Sequence, residues 1–427
     1  MIRSRPSEDA TATGLAERVD LLGARAVVEA AALRTPVIRC PELAAPQGGP
    51  VLLKAECLQL TGSFKLRGVL NRVATLGDAA AAGLLTASAG NHARAVAEAA
   101  RRRGVPCEVY MPAGAPVSKV LAAEALGAHV QLTGSSLEEA LERALARAAE
   151  SGMCFIHPFD DLDVIAGQGT VGLELLEQVE DIARVLVPVG GGGLAAGIGL
   201  ALRNAGSRAE LIGVQARSCA PYAEAIAGRA YQPPIETTIA DGIAVKRPGE
   251  ITLPLLRSLL DGVVTVSEDQ IAAAIVLLAE RCKLIAEGAG AVAVAALMAG
   301  ELEPVSGATV AIVSGGNVDS ALLAGLLLRH ESEEGRRVRI FTRISDRPGG
   351  LAELLGVVAG SRANVVSVEH VRDAVPLHVR ETGVELTLET RGPQHTAEVM
   401  AELAAGGYEA RLDQPAGQQG GRDGSAA

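Results

Sequence analysis

Short runs of Val, Ile and Leu alternate with stretches rich in Ala, Leu and Glu from about residue 50 to residue 330. The pairs include "GLLTAS" with "NHARAVAEAARRRG", "PCEVYMP" with "SKVLAAEALGA", and "HVQLTG" with "SLEEALERALARAAESG". The runs "ARVLVPVG", "AELIGVQA" and "ATVAIVSGG" are apolar at nearly every position, which is typical of parallel strands covered on both faces. The alternation predicts a doubly wound α/β fold on parallel sheets, with a smaller subdomain at about 50–155.

The pattern changes after His330, where the charged stretch "ESEEGRR" predicts a linker at 331–336. Beyond it, 337–413 follows the order strand, helix, strand, strand, helix, strand of a ferredoxin-like βαββαβ domain. The last residues, 414–427, have almost no apolar side chain to bury and predict a disordered tail. The chain is therefore predicted to contain a first domain at 1–330 and a small second domain at 337–413.

The charge distribution argues against a nucleic-acid partner. The net charge is −11, and the basic residues form no run longer than Arg101–Arg103. Aromatic residues make up 2% of the chain and Trp is absent, so platforms for stacking bases are missing as well.

The chain also lacks the patterns of a secretory signal, a membrane span or a metal site. Its first 20 residues contain no apolar core, and its most apolar stretch, "LIAEGAGAVAVAALMAG", is interrupted by Glu287. The six cysteines lie at least 17 residues apart and form no CxxC pair. These features predict a cytoplasmic protein with reduced thiols and no bound metal.

Four consecutive glycines, Gly190 to Gly193, lie between a predicted strand and a predicted helix in "VPVGGGGLAAG". Glycines let the backbone approach an anion and a helix N-terminus adds N–H donors, so this turn predicts a phosphate site. A nicotinamide cofactor is disfavoured because the next strand ends at Gln215, and the acidic residue Glu210 lies only at its beginning. The absence of GxxxxGKS/T excludes a nucleotide P-loop. A glycine cluster that serves only tight packing is the alternative.

A lysine stands at the start of another predicted helix. In "TGSFKLRG", Lys65 lies between the strand-like "VLLKAECLQL" and the helix-like "KLRGVLNRVATLG". A phosphate site and an amine from a different strand end suit pyridoxal phosphate, whose aldehyde forms a Schiff base with a lysine. Taken alone, Lys65 could instead form a surface ion pair. Lys54, inside a strand, is expected at the protein surface.

Six segments together resemble the threonine ammonia-lyases (threonine dehydratases) of the tryptophan-synthase-β-like pyridoxal-phosphate fold, fold type II. They are, in chain order, "TGSFKLRG", "SAGNHARAVA", "VGGGGL", "ADGIAVKRPG", "AEGAGAVA" and "SGGNVD". The stretch "GRRVRIFTRISDRPGGLAELLGVVAGSRANVVSVEHVR" resembles the ACT domain attached to many such enzymes. The resemblance covers about Thr35 to Met400. It implies pyridoxal 5'-phosphate as cofactor and deamination of L-threonine to 2-oxobutanoate, with L-serine as a secondary substrate.

The resemblance also implies roles for individual residues. Lys65 corresponds to the Schiff-base lysine, and Phe64 to the residue that packs on the cofactor ring. Asn91 corresponds to the partner of the 3-hydroxyl oxygen, and Ser314 to the hydroxyl that faces the pyridine nitrogen. The phosphate is expected on the N–H groups of Gly190, Gly191, Gly192 and Gly193. The substrate carboxylate is expected on the loop of Ser88, Ala89, Gly90, Asn91 and His92, where His92 is expected to support the turn rather than transfer protons.

Two regions depart from relatives that perform other chemistry. Related serine racemases have "SSGNH", whose second serine is an acid/base on the far face of the cofactor, whereas this chain has Ala89. Gln215 and Pro221 stand where some relatives have metal-binding carboxylates, so no metal is expected there. The alternatives are a serine dehydratase, a racemase-like or β-replacement enzyme of the same fold, and a non-catalytic amino-acid sensor.

The second domain is expected to regulate the first. ACT modules commonly pair through their sheets and bind an amino acid near the loop between the first strand and first helix. Here that loop is "SDRPGG", with Asp346 and the backbone after Pro348 as candidate contacts. The expected effector is isoleucine or valine, and the expected assembly is a homo-dimer or homo-tetramer. The alternative is a domain that only builds the oligomer.

Overall fold

The computed structural model describes residues 2–3, 10–232, 238–371 and 380–413. The predicted tail at 414–427 lies outside the described residues. The chain divides into two compact units, Met1–Asp319 and Ser320–Ala427. This boundary differs from the predicted domain end at 330, because one helix, Ser320–Glu333, extends into the predicted linker. The charged residues at its end do not break the helix, and Gly335, with a φ of 65°, follows it.

Two mainly parallel sheets form the first unit. Its strands are β1 (Ile2–Arg3), β2 (Val37–Arg39), β3 (Val51–Ala55), β4 (Leu84–Ala87), β5 (Cys107–Met111), β6 (His129–Leu132), β7 (Cys154–Phe155), β8 (Ile182–Pro188), β9 (Glu210–Ala216), β10 (Gly262–Val266) and β11 (Ala308–Val313). The larger sheet has the order β1-β10-β9-β8-β11-β3-β2, with antiparallel pairing only at its edge strands β1 and β2. The smaller sheet, β6-β5-β4-β7, is parallel throughout. The predicted doubly wound fold is confirmed.

The smaller sheet begins later in the chain than the pattern predicts. β3 lies in the larger sheet, where Val51–Ala55 pairs in register with Thr309–Val313 of β11. The smaller sheet contains only strands between Leu84 and Phe155. An apolar run predicts that a strand is buried but does not specify which sheet it joins, so the predicted start near residue 50 did not separate the two sheets.

Helices cover the faces of these sheets. They are α1 (Ala10–Ala16), α2 (Leu21–Glu29), α3 (Ala44–Gln47), α4 (Lys65–Thr75), α5 (Asn91–Arg103), α6 (Val117–Glu124), α7 (Leu137–Ser151), α8 (Leu162–Gln178), α9 (Gly193–Asn204), α10 (Pro221–Ile226), α11 (Thr252–Leu259), α12 (Glu268–Glu280) and α13 (Gly288–Met298). α13, from the most apolar stretch, is buried on all sides from Gly288 to Leu297, as expected of a helix without a polar face. Among the described residues, no helix is both long and apolar enough to cross a membrane.

Lys54 is fully buried, so its expected surface position is wrong. Its Nζ donates hydrogen bonds to the Thr35 carbonyl oxygen at 2.9 Å and to Gln178 Oε1 at 2.7 Å, and it contacts the Glu174 carboxylate. Burial lowers the pKa of Lys54, although Glu174 acts in the opposite direction. The surface expectation failed because both faces of β3 are covered.

Arg67, two residues after Lys65, completes a buried ionic network with Lys54. Its Nε and Nη2 donate to the Glu56 carboxylate at 2.8 and 2.9 Å, and its Nη1 donates to Glu174 Oε1 at 2.6 Å. Burial alone would raise the pKa of Glu56, but the charge and hydrogen bonds of Arg67 outweigh it and keep the pKa below its ordinary value. Two cations and two carboxylates thus balance, and they fix the start of α4 to the end of β3 and to α8.

The second unit contains an antiparallel sheet with the predicted ferredoxin-like order. Its elements are α14 (Ser320–Glu333), β12 (Arg337–Ser345), α15 (Gly350–Gly360), β13 (Asn364–Val371), β14 (Glu381–Glu389), α16 (Pro393–Ala405) and β15 (Arg411–Leu412). The sheet order is β13-β14-β12-β15, and β12 pairs with β14 from Arg337↔Glu389 to Ser345↔Glu381. The βαββαβ prediction is confirmed, and Ile340, Leu354, Leu386 and Leu403 lie in its core.

Candidate functional site

The sequence motifs lie at the carboxyl ends of strands from both sheets of the first unit. β3 leads to Lys65 at the start of α4, and β4 leads to Asn91 at the start of α5. β8 leads through the glycine turn into α9, and β11 ends directly before Ser314. Ligands of open parallel sheets bind at such strand ends, so these loops define the candidate site.

Lys65 is the first residue of α4, and its amine is shielded from water. Nζ donates a hydrogen bond to the Pro158 carbonyl oxygen at 2.8 Å and lies 5.2 Å from the centroid of the Phe64 ring. The residue as a whole is half-buried, and desolvation of the amine lowers its pKa to about 8, against the raising effect of Glu287. An amine with a lowered pKa is a better nucleophile and base at neutral pH than an ordinary lysine.

The glycine turn packs tightly against Phe159. A Cβ on Gly191 would lie 2.0 Å from Cγ of the Phe159 ring, and one on Gly193 would lie 2.9 Å from the Phe159 carbonyl oxygen. Gly192 has a φ of 88°, and a Cβ on Gly190 would lie 2.9 Å from Cα of Ile243. Packing therefore explains the glycines, while the start of α9 adds the N–H donors that an anion requires.

Asn91 lies within a chain of side-chain hydrogen bonds. Its Nδ2 donates to Glu287 Oε1 at 2.6 Å, and its Oδ1 accepts from Asn317 Nδ2 at 2.6 Å. Asn317 Nδ2 also donates to the Thr61 carbonyl oxygen at 2.9 Å, and its Oδ1 accepts from Arg94 Nη1 at 2.7 Å. Because the partners on both sides are fixed, the orientation of the Asn91 amide is specified by the network.

Glu287 is a buried acid that the sequence analysis did not assign to the site. A Cβ on Gly315 would lie 2.1 Å from Glu287 Oε1, so glycine at 315 leaves the space that the carboxyl group occupies. Burial raises the pKa of Glu287 to about 7, and the hydrogen bond from Asn91 acts in the opposite direction. Ser314, next to Gly315, donates through Oγ to the Ala289 carbonyl oxygen at 3.2 Å.

The "SAGNH" loop leads into the 13-residue helix α5. Ser88 Oγ accepts from the Gly90 N–H at 3.2 Å, and a Cβ on Gly90 would meet no atom within 4 Å. His92 Nε2 is 2.9 Å from the Ile156 carbonyl oxygen, and burial, with the charge of Lys65, lowers the pKa of His92 to about 3. His92 is therefore neutral at physiological pH, and Ala89 offers no side-chain proton to the site.

A path of contacts joins these loops. Phe159 packs on the glycine turn, and the preceding residue, Pro158, accepts the hydrogen bond of Lys65. The Phe64 N–H donates to the Ser314 carbonyl oxygen at 3.1 Å, and Gly315 lies against Glu287, which accepts from Asn91. The structure thus brings together the predicted lysine, asparagine, serine and glycine turn from both sheets.

The groups around Lys65 fit a phosphorylated aldehyde. Ser63 Oγ and Thr61 Oγ1 are buried, yet they make no hydrogen bond within the described part of the chain. Buried hydroxyls are normally satisfied, so these two indicate that the loop is shaped for a polar ligand. A shielded amine for the aldehyde and O–H and N–H donors for the phosphate form the donor set that pyridoxal phosphate requires.

The described residues contain no group of three or more His, Cys, Asp or Glu side chains that could hold a metal ion. Gln215 is used within the protein, since its Nε2 donates to the Val189 carbonyl oxygen at 3.0 Å and its Oε1 accepts from the Ala223 N–H at 2.9 Å. Pro221 is the first residue of α10.

Three residues of the site were missed by the sequence analysis. Glu287 and Asn317 lie inside quoted motifs, and a polar residue within an otherwise apolar or glycine-rich motif is a signal that could have identified both. Phe159 carries no such signal, because its position against the glycine turn depends on the packing of the two sheets.

Comparison with known proteins gives consistent results. A model of the family "Pyridoxal-phosphate dependent enzyme" matches residues 28–315. An "L-threonine ammonia-lyase" of Geobacter sulfurreducens is 44% identical over 378 residues, which cover 88% of this chain and 94% of the relative. Among solved structures, threonine deaminase isoform 2 from Solanum lycopersicum has a TM-score of 0.69 and 34% identity, covering 76% of this chain and 90% of its own. Maize serine racemase has a TM-score of 0.68 and 34% identity, and the match covers 74% of this chain and 98% of the racemase chain.

Proposed function

Because this chain belongs to the family of pyridoxal-phosphate-dependent enzymes, we propose that it is a threonine ammonia-lyase. It converts L-threonine to 2-oxobutanoate and ammonia and, as a secondary activity, L-serine to pyruvate and ammonia. The observation that carries this proposal is the desolvated amine of Lys65, which donates to the Pro158 carbonyl oxygen and interacts electrostatically with Glu287. Phe159, next to Pro158, packs on the glycine turn, and Glu287 accepts the hydrogen bond of Asn91.

Lys65 has two tasks in this proposal. Its amine would hold the cofactor covalently and would accept the Cα proton of the substrate, and a pKa lowered to about 8 in the cofactor-free chain favours the neutral, reactive amine. When bound, the cofactor withdraws electrons from the substrate Cα, which makes that proton acidic and allows the β-hydroxyl to leave. Phe64, beside the Lys65 amine, would pack on the ring.

The remaining residues would bind and orient the cofactor and the substrate. The N–H groups of Gly190 to Gly193 would hold the phosphate at the start of α9. Asn91 would donate to the 3-oxygen of the ring, and Ser314 would face the pyridine nitrogen. A neutral hydroxyl there does not keep that nitrogen protonated as an aspartate would, which suits elimination better than transamination. The loop from Ser88 to His92 would bind the substrate carboxylate at the start of α5.

The second unit is assigned a regulatory role in the same proposal. The alignment with the Geobacter relative spans 378 residues, more than the 319 residues of the first unit, so part of the second unit is shared. Its loop between β12 and α15 contains Asp346 and Gly349, whose φ is 91°. An ACT-like pair of such units, in a homo-dimer or homo-tetramer, would bind isoleucine or valine there. The six cysteines are free thiols, which fits a reducing, cytoplasmic location.

The test replaces Lys65 with alanine in the full chain. Lys65→Ala should lose the visible absorbance of the bound cofactor and the release of 2-oxobutanoate from L-threonine, with an unchanged far-UV circular dichroism spectrum. The matched control is Lys246→Ala, because Lys246 forms an exposed ion pair with Glu138 at 2.9 Å and should be dispensable. Keto-acid release by Lys65→Ala at the wild-type rate would refute the assignment.

A further inference from the structure

The Glu287 carboxyl group is buried at the candidate site but has no role in the proposed reaction. Its Oε1 accepts a hydrogen bond from Asn91 Nδ2 at 2.6 Å, and its backbone N–H donates to the Gly315 carbonyl oxygen at 3.1 Å. Glu287 precedes α13, and Gly315 precedes the Asn317 side chain that holds the other end of the Asn91 amide. The acid therefore belongs to the support of Asn91 rather than to a surface ion pair.

The hydrogen bonds of Asn91 leave one N–H for a ligand. An amide has two N–H donors on Nδ2 and one acceptor oxygen. Asn317 donates to that oxygen, so Nδ2 is turned toward Glu287, which takes one of the two N–H groups. A ligand oxygen that faces Asn91 Nδ2 can therefore accept the second N–H. In the proposed function this acceptor is the 3-oxygen of pyridoxal phosphate, and an N–H donor favours the anionic form of that oxygen.

An anionic oxygen at that position would share one amide nitrogen with the Glu287 carboxyl group. Two negative charges so close disfavour each other, and a neutral carboxyl group removes the repulsion. The charged neighbours of Glu287 act in both directions: Asp241 raises its pKa, and Lys119 and Arg94 lower it. Lys65 and Cys57 also interact electrostatically with Glu287.

We infer that Glu287 is a positioning residue that takes up a proton when cofactor binds, so that a neutral carboxyl group supports Asn91 against the anionic 3-oxygen. The inference rests on the proposed function, since it takes pyridoxal phosphate as the ligand beside Asn91. It adds a proton-coupled step to cofactor binding that the roles of Lys65, Asn91 and Ser314 do not contain.

The test counts protons during cofactor binding. Apoenzyme is titrated with pyridoxal phosphate in a calorimeter at pH 6 and pH 8, each time in two buffers of different ionisation enthalpy, and the comparison yields the protons taken up. A carboxyl group with a pKa of about 7 is about one-tenth ionised at pH 6 and about nine-tenths ionised at pH 8. The number of protons taken up on cofactor binding should therefore be larger for wild type than for Glu287→Gln, by about 0.1 proton per chain at pH 6 and by up to about 0.9 at pH 8.

Two further variants separate proton uptake from folding. Glu287→Asp keeps a carboxyl group on a shorter stem, so it should retain proton uptake while binding the cofactor more weakly. Asp241→Asn removes a charge that raises the pKa of Glu287, so the rise in proton uptake should begin at lower pH. Equal proton counts at pH 8 for wild type and a folded, cofactor-binding Glu287→Gln would overturn the inference and leave the proposed function intact. Failure of wild type to bind pyridoxal phosphate would overturn both.

Discussion

Replacement of Arg67 by methionine tests whether the buried network holds the start of α4 in place. The Arg67 side chain is fully buried, and its guanidinium donates to Glu56, Glu174, the Thr170 hydroxyl and the Leu33 carbonyl oxygen. Methionine fills most of the volume but donates nothing, so Glu56 would remain fully buried without its bidentate partner.

The expected loss in the free energy of unfolding follows from the complete burial of Arg67 and Glu56. Removal of one partner from a buried ion pair costs about 3 to 5 kcal/mol, since an uncompensated charge is left behind. Each 1.4 kcal/mol is a factor of ten, so the ratio of folded to unfolded protein should fall by about a hundredfold to several thousandfold. Arg72, five residues later on α4, pairs with Asp161 and Asp163 but is 28% exposed. Arg72→Met should therefore cost only about 0 to 1 kcal/mol.

The assay is urea-induced unfolding of the apo chain, followed by far-UV circular dichroism. The unfolding midpoint of Arg67→Met should fall far below that of wild type, and that of Arg72→Met should lie close to it. The double variant Arg67→Met/Glu56→Gln should regain part of the loss because it also removes the uncompensated carboxylate. Equal midpoints for Arg67→Met and Arg72→Met, or a double variant less stable than Arg67→Met, would refute the reasoning.

Three other predictions concern catalysis, regulation and pH. The enzyme should deaminate L-serine slowly without forming D-serine, because Ala89 supplies no proton on the far face of the cofactor. Ala89→Ser should introduce trace racemisation, and chiral chromatography of the products measures the D-serine formed. Isoleucine or valine should shift the L-threonine saturation curve by an amount equivalent to about 1 to 3 kcal/mol, and Asp346→Ala should reduce that shift; superimposable curves with and without either amino acid would contradict the regulatory role. Burial raises the pKa of Glu287 to about 7, so the carboxyl group binds a proton more tightly in the folded protein than in the unfolded chain. The protonated carboxyl group therefore stabilises the folded apoprotein below pH 4.5, and this stabilisation is lost as the pH rises through 7. Unfolding midpoints of Glu287→Gln should accordingly depend less on pH between 5 and 8 than those of wild type.

The sequence predicts the loops of the site better than the side chains that support them. Glycine, serine and asparagine at strand ends are local signals, and they identify the Lys65 turn and the glycine turn without knowledge of packing. Lys54 shows where local signals fail, because its burial depends on the helices that cover β3 and on Glu174, 120 residues away. Glu287 meets Asn91 across 196 residues for the same reason. Contacts of this kind are properties of the assembled sheets, and no short window of sequence contains them.

The position of β3 between β2 and β11 has a consequence for how the protein is made. β11 follows β3 by roughly 250 residues, yet the two strands are hydrogen-bonded neighbours in the larger sheet. At 5 to 20 residues per second, a ribosome needs about 12 to 50 seconds to synthesise the intervening chain. During that time the edge of β3 that pairs with β11 in the folded protein is unpaired. The turn after β3 also lacks the Ser314 carbonyl oxygen, which accepts the Phe64 N–H in the folded protein. Nascent chains that carry Lys65 therefore lack this part of the site, and they expose an unpaired strand edge until β11 has left the ribosome.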